Sequence, residues 1–308
     1  MNTLRPAQCR PRPGGGRGFS LIEMMVSVAL MGVIVLALYT MFDHTQRALR
    51  TNVTQVDVLE GGRAAMERLT HELGQMAPCN LPVGPGLLTG TNLLISVAGR
   101  DLTLYNAWFR PVQPYLVLAQ TSPDFGGART NVRDGVYFLR HYSKDWIGTA
   151  YWIFDATNGV GTLGRYSLTT TNPVWVMPPV VNQYPNPTNF ALVAEGVIHF
   201  RVQAFDADGW PMTWYSPYRY TNVFLLRDPG WSGALPTETR AVFVGDAVPA
   251  YVEVELGILE PQALIQFQSF PPNSPQAQAF LNTHVGQVHL FRQRVPVWTG
   301  GNLHTAFR

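Results

Sequence analysis

Apolar and polar positions divide the chain into three stretches of different period. From Phe19 to Phe42 apolar residues run almost without a break, 24 positions interrupted by the polar Ser20, Glu23, Ser27 and Thr40. As a helix, this run is long enough to cross a hydrocarbon core of about 30 Å. The period then changes. Leu49, Val53, Val56, Leu59, Met66, Leu69, Leu73 and Met76 recur at spacings of three, four and seven, with Arg47, Arg50, Arg63, Arg68 and Glu72 mostly off that stripe. The spacing predicts an amphipathic continuation of the helix over 43–77. Gly61-Gly62 interrupts it at about 1 kcal/mol each relative to Ala, so a kink or local melting is expected there. Pro78 ends the element.

Beyond Pro78 the period falls to two. Strands are predicted at 93–97, 102–105, 116–119, 136–142 and 151–154. The clearest is 196–205, where Ile198, Phe200, Val202 and Ala204 face one way and His199, Arg201 and Gln203 the other. Asp206-Ala207-Asp208-Gly209 reads as a turn after it. A second alternating strand sets Val252, Val254, Leu256 and Ile258 against Glu253 and Glu255. A short helix at 276–283 and a last strand at 287–295 follow. The stretch 169–189 reads as a polar connection and 216–248 as a long irregular insertion. The pattern predicts an α+β fold, a long N-terminal helix whose second half packs on an antiparallel β-sheet domain with insertions.

Composition agrees with a strand-and-turn domain: hydrophobic residues reach 46%, charged residues only 14%, and 28 Gly and 24 Pro are scattered without period. The formal charge of +2 comes from the first 18 residues, which hold Arg5, Arg10, Arg12 and Arg17 and no acid. Without those four, 18 basic residues stand against 20 acidic ones, a balance of −2 that gives no electrostatic footprint for nucleic acid. The arginines ahead of the apolar run keep that side in the cytoplasm, so the rest of the chain is exported. Removing the first 18 residues also removes Cys9 and leaves Cys79 alone, with no intramolecular disulfide or thiolate metal site to build.

The junction of basic leader and apolar run reads Arg17-Gly18-Phe19-Ser20-Leu21-Ile22-Glu23. A secretory signal peptide would carry a shorter apolar region and a small-residue cleavage motif after it. A plain signal anchor has no reason to hold Glu23, since an acid among apolar positions costs about 2.5–3.5 kcal/mol on insertion scales. The junction resembles the processing motif of the type IV prepilin family, Gly-Phe-Ser-Leu-Ile-Glu. The resemblance implies that Gly18 is the last leader residue, cut by a prepilin peptidase, and that Phe19 becomes an N-methylated terminus. It also implies that Glu23 pairs with the terminal amine of a neighbouring subunit. The organisation expected is a leader at 1–18, a membrane helix at 19–42, its amphipathic continuation at 43–77 and a periplasmic domain at 78–308.

The stretches Gly62 to Leu73, Leu192 to Val202 and Pro249 to Leu256 are similar to J-type minor pseudopilins of type II secretion and to W-type minor pilins. Extra material at 122–133 and 216–248 makes the chain longer than a typical J-type pseudopilin, and no cysteine pair near the C-terminus sets it apart from major pilins. The resemblance implies a structural, non-enzymatic role: a minor pseudopilin in the tip of a secretion pseudopilus. Its partners would be other pseudopilins, the prepilin peptidase, the inner membrane and an exported substrate. A minor pilin of a type IV pilus or DNA-uptake filament is the nearest alternative.

Little else in the chain points to chemistry. Gly14-Gly15-Gly16 lacks the strand and Gly-Lys-Ser/Thr of a phosphate loop, and the seven histidines form no metal motif. His199 is read as a solvated or core-edge residue. Asp206 and Asp208 are candidate calcium ligands, but Pro211 and Pro217 occupy the sixth and twelfth loop positions where an EF-hand needs Gly and Glu, so a plain turn is the reading preferred. A tethered carbohydrate- or substrate-binding module would gather exposed aromatics in one groove. Its candidates are Trp108, Trp146, Trp152, Trp175, Trp210, Trp214, Trp231 and Trp298.

Overall fold

The computed structural model of the protein describes residues 20–78, 105–111, 118–122, 127–157, 159–171, 187–213, 215–216, 218–227, 239–272, 274–298 and 305–307. The chain divides into two compact units, Met1–Val53 and Thr54–Arg308.

In the first unit the described residues form the opening of helix α1 (Leu21–Gly74). Its first turn is capped by Ser20, whose carbonyl accepts from Glu23 and Met24 N–H and whose Oγ accepts from Glu23 N–H at 3.3 Å. The hydroxyls of Ser27, Thr40 and Thr45 each donate to a carbonyl three or four residues back, at 2.7–2.8 Å. These three hydroxyls are thereby satisfied inside the helix, which a segment in hydrocarbon requires.

The second unit holds the rest of α1 against a nine-stranded antiparallel sheet. The strands are β1 (Tyr105–Pro111), β2 (Leu118–Ser122), β3 (Gly127–Asn131), β4 (Asp134–Tyr142), β5 (Asp145–Thr157), β6 (Val160–Thr170), β7 (Ala191–Phe205), β8 (Tyr218–Tyr220), β9 (Val223–Arg227), β10 (Thr239–Val244), β11 (Tyr251–Leu259), β12 (Val288–Pro296) and β13 (Thr305–Phe307). The sheet order is β12-β11-β7-β6-β5-β4-β1-β10-β9, with β2–β3 and β8–β13 as separate ribbons. Helices α2 (Pro261–Gln268) and α3 (Pro275–Thr283) lie between β11 and β12.

Helix α1 runs without a break through Gly61-Gly62 to Gly74, so the expected local melting does not occur. Gly62 is buried under Phe291, and any Cβ there would overlap that ring. The predicted stripe divides. Met66, Leu69, Leu73 and Met76 enter the main core with Phe138, Tyr151, Phe200, Val254 and Leu256, joined by Val58 and Ala65. Leu49, Val56 and Leu59 stay exposed. Full burial of each large apolar side chain contributes about 1.5–3 kcal/mol, so the helix is held by its last five turns.

Strand β7 is flat-patterned only over its second half. Phe200, Val202 and Ala204 face α1 as predicted, but Ile198 joins a second cluster with Leu259, Phe267, Ala277 and Leu281 under α2 and α3. A register shift opposite Gly257 and Ile258 accounts for the departure. Strand β6 pairs with β7 only up to Val197. Past that point the edge is taken by the lead-in to β4: Phe200 N–H donates to Val132 O, and Val202 N–H to Asp134 Oδ2, both at 2.9 Å. Strands β4 to β7 thus curl until the first touches the last.

The described residues of the insertion expected at 216–248 are largely strand. They contribute β8, β9 and β10, and β10 sits inside the main sheet between β1 and β9. Ala241, Val242, Phe243 and Val244 are all buried, so both faces are covered and no alternation betrays the strand. Strand β6 lies on residues to which the sequence assigned no element, and only Thr169 and Thr170 fall in the expected polar connection. The predicted strands at 93–97 and 102–104 lie outside the described residues.

Candidate functional site

Every residue from Leu21 to Leu49 is exposed apart from half-buried Asp43, and this stretch has a mean hydropathy of 2.5 over its most apolar part. An apolar surface of that length is not at rest in water and is long enough to span a bilayer. Glu23 stands in its first turn, exposed, its backbone tied to Ser20. Ser20 and Glu23 have the spacing of a capping box, a local start signal that the hydrophobic pattern alone does not reveal. Gly18 and Phe19 lie outside the described residues.

The far end of α1 is clamped to the sheet by buried charge. Glu72 accepts from Arg165 Nε and Nη2 at 2.9 and 2.8 Å and from Tyr151 Oη at 2.6 Å. Arg140 stands 3.5 Å from the same carboxylate and donates to Gln75 and Thr149, both at 3.2 Å. The chain then adds itself to β4, Ala77 N–H donating to Leu139 O at 3.0 Å. Burial would raise the Glu72 carboxyl. The hydrogen bonds from Arg165 and Tyr151 and the charge of Arg140 outweigh it and hold Glu72 below the usual carboxylate range. Burial and the adjacent carboxylate push the Tyr151 hydroxyl far up, so it remains a donor. Glu72 was expected off the apolar stripe, and no local signal shows that it lands under the sheet.

His199 is not solvated. It is 2% exposed, its Nδ1 accepts from Val132 N–H at 3.1 Å, and its Nε2 lies 3.1 Å from Glu255. Because Nδ1 accepts, the proton sits on Nε2 and is donated to the carboxylate, which fixes a neutral tautomer. That bond holds the Glu255 carboxyl below its usual range against the effect of burial. Along the same face Glu253 pairs with Arg292 and Arg294 of β12 at 2.7 and 3.1 Å.

Asp206 is buried, and its carboxylate is occupied by protein donors: Asp208 N–H at 3.1 Å, Trp210 N–H at 2.7 Å and Tyr220 Oη at 2.9 Å. It closes the turn, while Asp208 is exposed. Among the described residues no three His, Cys, Asp or Glu side chains gather as a metal site would require. Of the candidate tryptophans, Trp152 is buried, Trp146 half-buried, and Trp210 and Trp298 are 61% and 71% exposed. Neither Cys9 nor Cys79, nor the side chains of Trp108, Trp175, Trp214 and Trp231, fall among the described residues.

Residues 16–39 match the family model described as the prokaryotic N-terminal methylation motif. The match covers the leader–helix junction and the first five turns of the apolar helix. No curated protein and no solved structure matches the chain.

Proposed function

We propose that this type IV pilin-like protein is made as a precursor, cut between Gly18 and Phe19 by a prepilin peptidase and N-methylated at Phe19. Helix α1 then holds it in the inner membrane, with the sheet domain on the periplasmic side, until it enters a filament. The observation that carries this reading is the conjunction of the motif at 16–39 with an apolar run, Leu21–Leu49, of which none is buried. Such a surface is covered only by lipid or by like helices. Glu23 supports the same end. A carboxylate in lipid needs a cation, and cleavage creates one as the amine of Phe19 on the next subunit.

Within that class the chain acts as a minor pseudopilin of a type II secretion pseudopilus, near the tip, where filament growth drives export of a folded substrate. The support is the similarity of the α1, β7 and β11 stretches to J-type subunits, together with a sheet enlarged by β9 and β10. Intact-mass and N-terminal analysis of the protein from its host membrane tests the first step. A chain beginning at N-methylated Phe19 is expected; an uncut chain in cells with working peptidase overturns the reading. Loss of secreted protein on deletion of the gene, with pili and DNA uptake intact, is the outcome expected of a secretion subunit.

A further inference from the structure

Strand β7 carries a bulge beside a cavity that neither the anchor nor the Glu72 clamp uses. On β6, Gly161 pairs with Val197 and Leu163 with Ala194, so Thr162 alone stands opposite Glu195 and Gly196. Gly196 takes a φ of +68°, and a Cβ there would lie 3.1 Å from Leu264 Cδ2 and 3.3 Å from Leu259 O, so the bulge needs glycine at this point. Thr162, Glu195 and Gly196 line a cavity of about 410 Å3 between β6, β7 and α2. That volume falls in the range of small-ligand sites, about 300–1,000 Å3. Bulges occur next to such sites because the extra residue re-aims a side chain.

The cavity has an apolar wall and three uncommitted polar side chains. Val160, Leu264, Phe267 and Phe270 form the wall. Phe280 packs against both phenylalanines, at ring-centre distances of 6.4 and 5.4 Å. Thr162 on β6, Glu195 on β7 and Gln268 on α2 supply the polar groups, and among the described residues none of the three side chains has a partner. All three offer acceptor oxygens. Glu195 is exposed, and no basic residue lines the cavity, so its carboxylate has no counter-charge there. A smaller cavity of about 220 Å3, with Val58 and Ile258 among its walls, adjoins the first, and Glu195 and Leu264 line both.

We propose that the larger cavity binds an alkyl guanidinium group, such as the one that ends an arginine side chain. The donors of the planar head meet the Glu195 carboxylate as a two-bond fork, with the Gln268 and Thr162 oxygens as further acceptors. The aliphatic stem lies on Leu264 and Phe267, as such stems do on apolar surface. An anion is repelled by Glu195, and a neutral ligand leaves that charge unanswered. The site depends on neither the anchor nor the filament reading.

The test is calorimetric titration of the full-length chain in detergent with N-acetyl-arginine amide and with its neutral isostere, N-acetyl-citrulline amide. The arginine amide is expected to bind about tenfold more tightly or better, the effect of charge-assisted hydrogen bonds. Glu195→Gln removes that preference and leaves the melting temperature unchanged, because no described protein group depends on Glu195. Glu67→Gln, at an exposed acid of α1 outside the cavity, keeps the preference. N-acetyl-Leu-Gly-Arg amide separates the sources of such a group. Its leucine, about 7 Å from the arginine on the same side of an extended chain, reaches the smaller cavity. A gain of about fivefold or more over the arginine amide identifies a protein segment as the natural ligand, and equal affinity identifies a free guanidinium compound. Equal binding of the arginine and citrulline amides, a preference that survives Glu195→Gln, or no binding at millimolar concentration overturns the site.

Discussion

Glu72 keeps its charge in a place where a lone carboxylate would not. Two guanidinium groups and a phenol surround it, and all four side chains lie at the helix–sheet boundary. Removing the acid strands Arg165 and Arg140 without their counter-charge, so Glu72→Ala is expected to lower stability by about 3–5 kcal/mol, measured by denaturant unfolding in detergent. The folded carboxyl titrates below its ordinary 4.5. Its contribution is therefore complete above that pH and is lost as the pH falls through the lower folded value. Between pH 7 and pH 3 the melting temperature of Glu72→Gln should decline less steeply than that of the wild type. An identical decline would mean that Glu72 is not the acid-sensitive group. Glu23 makes a different demand, because no protein group in the described structure answers it. Glu23→Gln is expected to leave cleavage and membrane insertion intact and to remove the chain from sheared filaments, as followed by immunoblot.

At the scale of the element, the adjacent glycines of α1 are opposites. Gly62→Ala forces a methyl group into the Phe291 ring and is expected to destabilise by about 1–3 kcal/mol. Gly61→Ala meets open space and gains helix propensity, so it should stabilise the isolated chain by up to about 1 kcal/mol. The two denaturation midpoints, compared with wild type, should move in opposite directions. Strand β7 shows how an element outgrows its own pattern. Phe200, Val202 and Ala204 follow the period of two, whereas Ile198 is the extra residue of a bulge in β7, between Val197 opposite Ile258 and His199 opposite Gly257, and is turned to another cluster. The edge of β7 that β6 gives up is closed by Asp134, 68 residues away in sequence. Asp134→Ala leaves Val202 N–H unpaired under the sheet and is expected to cost about 1–3 kcal/mol in the same measurement.

For the whole molecule, the described residues form two units of contrasting surface: a helix opening that buries nothing and a domain with a core of ordinary composition. The first unit's helix is long and apolar enough to cross a membrane. Protease added to spheroplasts is expected to digest the domain and leave an N-terminal fragment in the membrane. A protected domain would place it on the cytoplasmic side and contradict the direction set by the leader arginines. An apolar helix long enough to span a bilayer, the N-terminal methylation motif matched over 16–39 and the α+β class were all legible in the sequence, because run length, period and a contiguous motif are local signals. The strand β10 was not, because a segment buried on both faces has no alternation to read. Nor were the burial of Glu72 and His199, whose partners Arg165 and Glu255 stand 93 and 56 residues away. Whether a charge or an imidazole is solvated depends on what packs over it, and only the folded chain decides that.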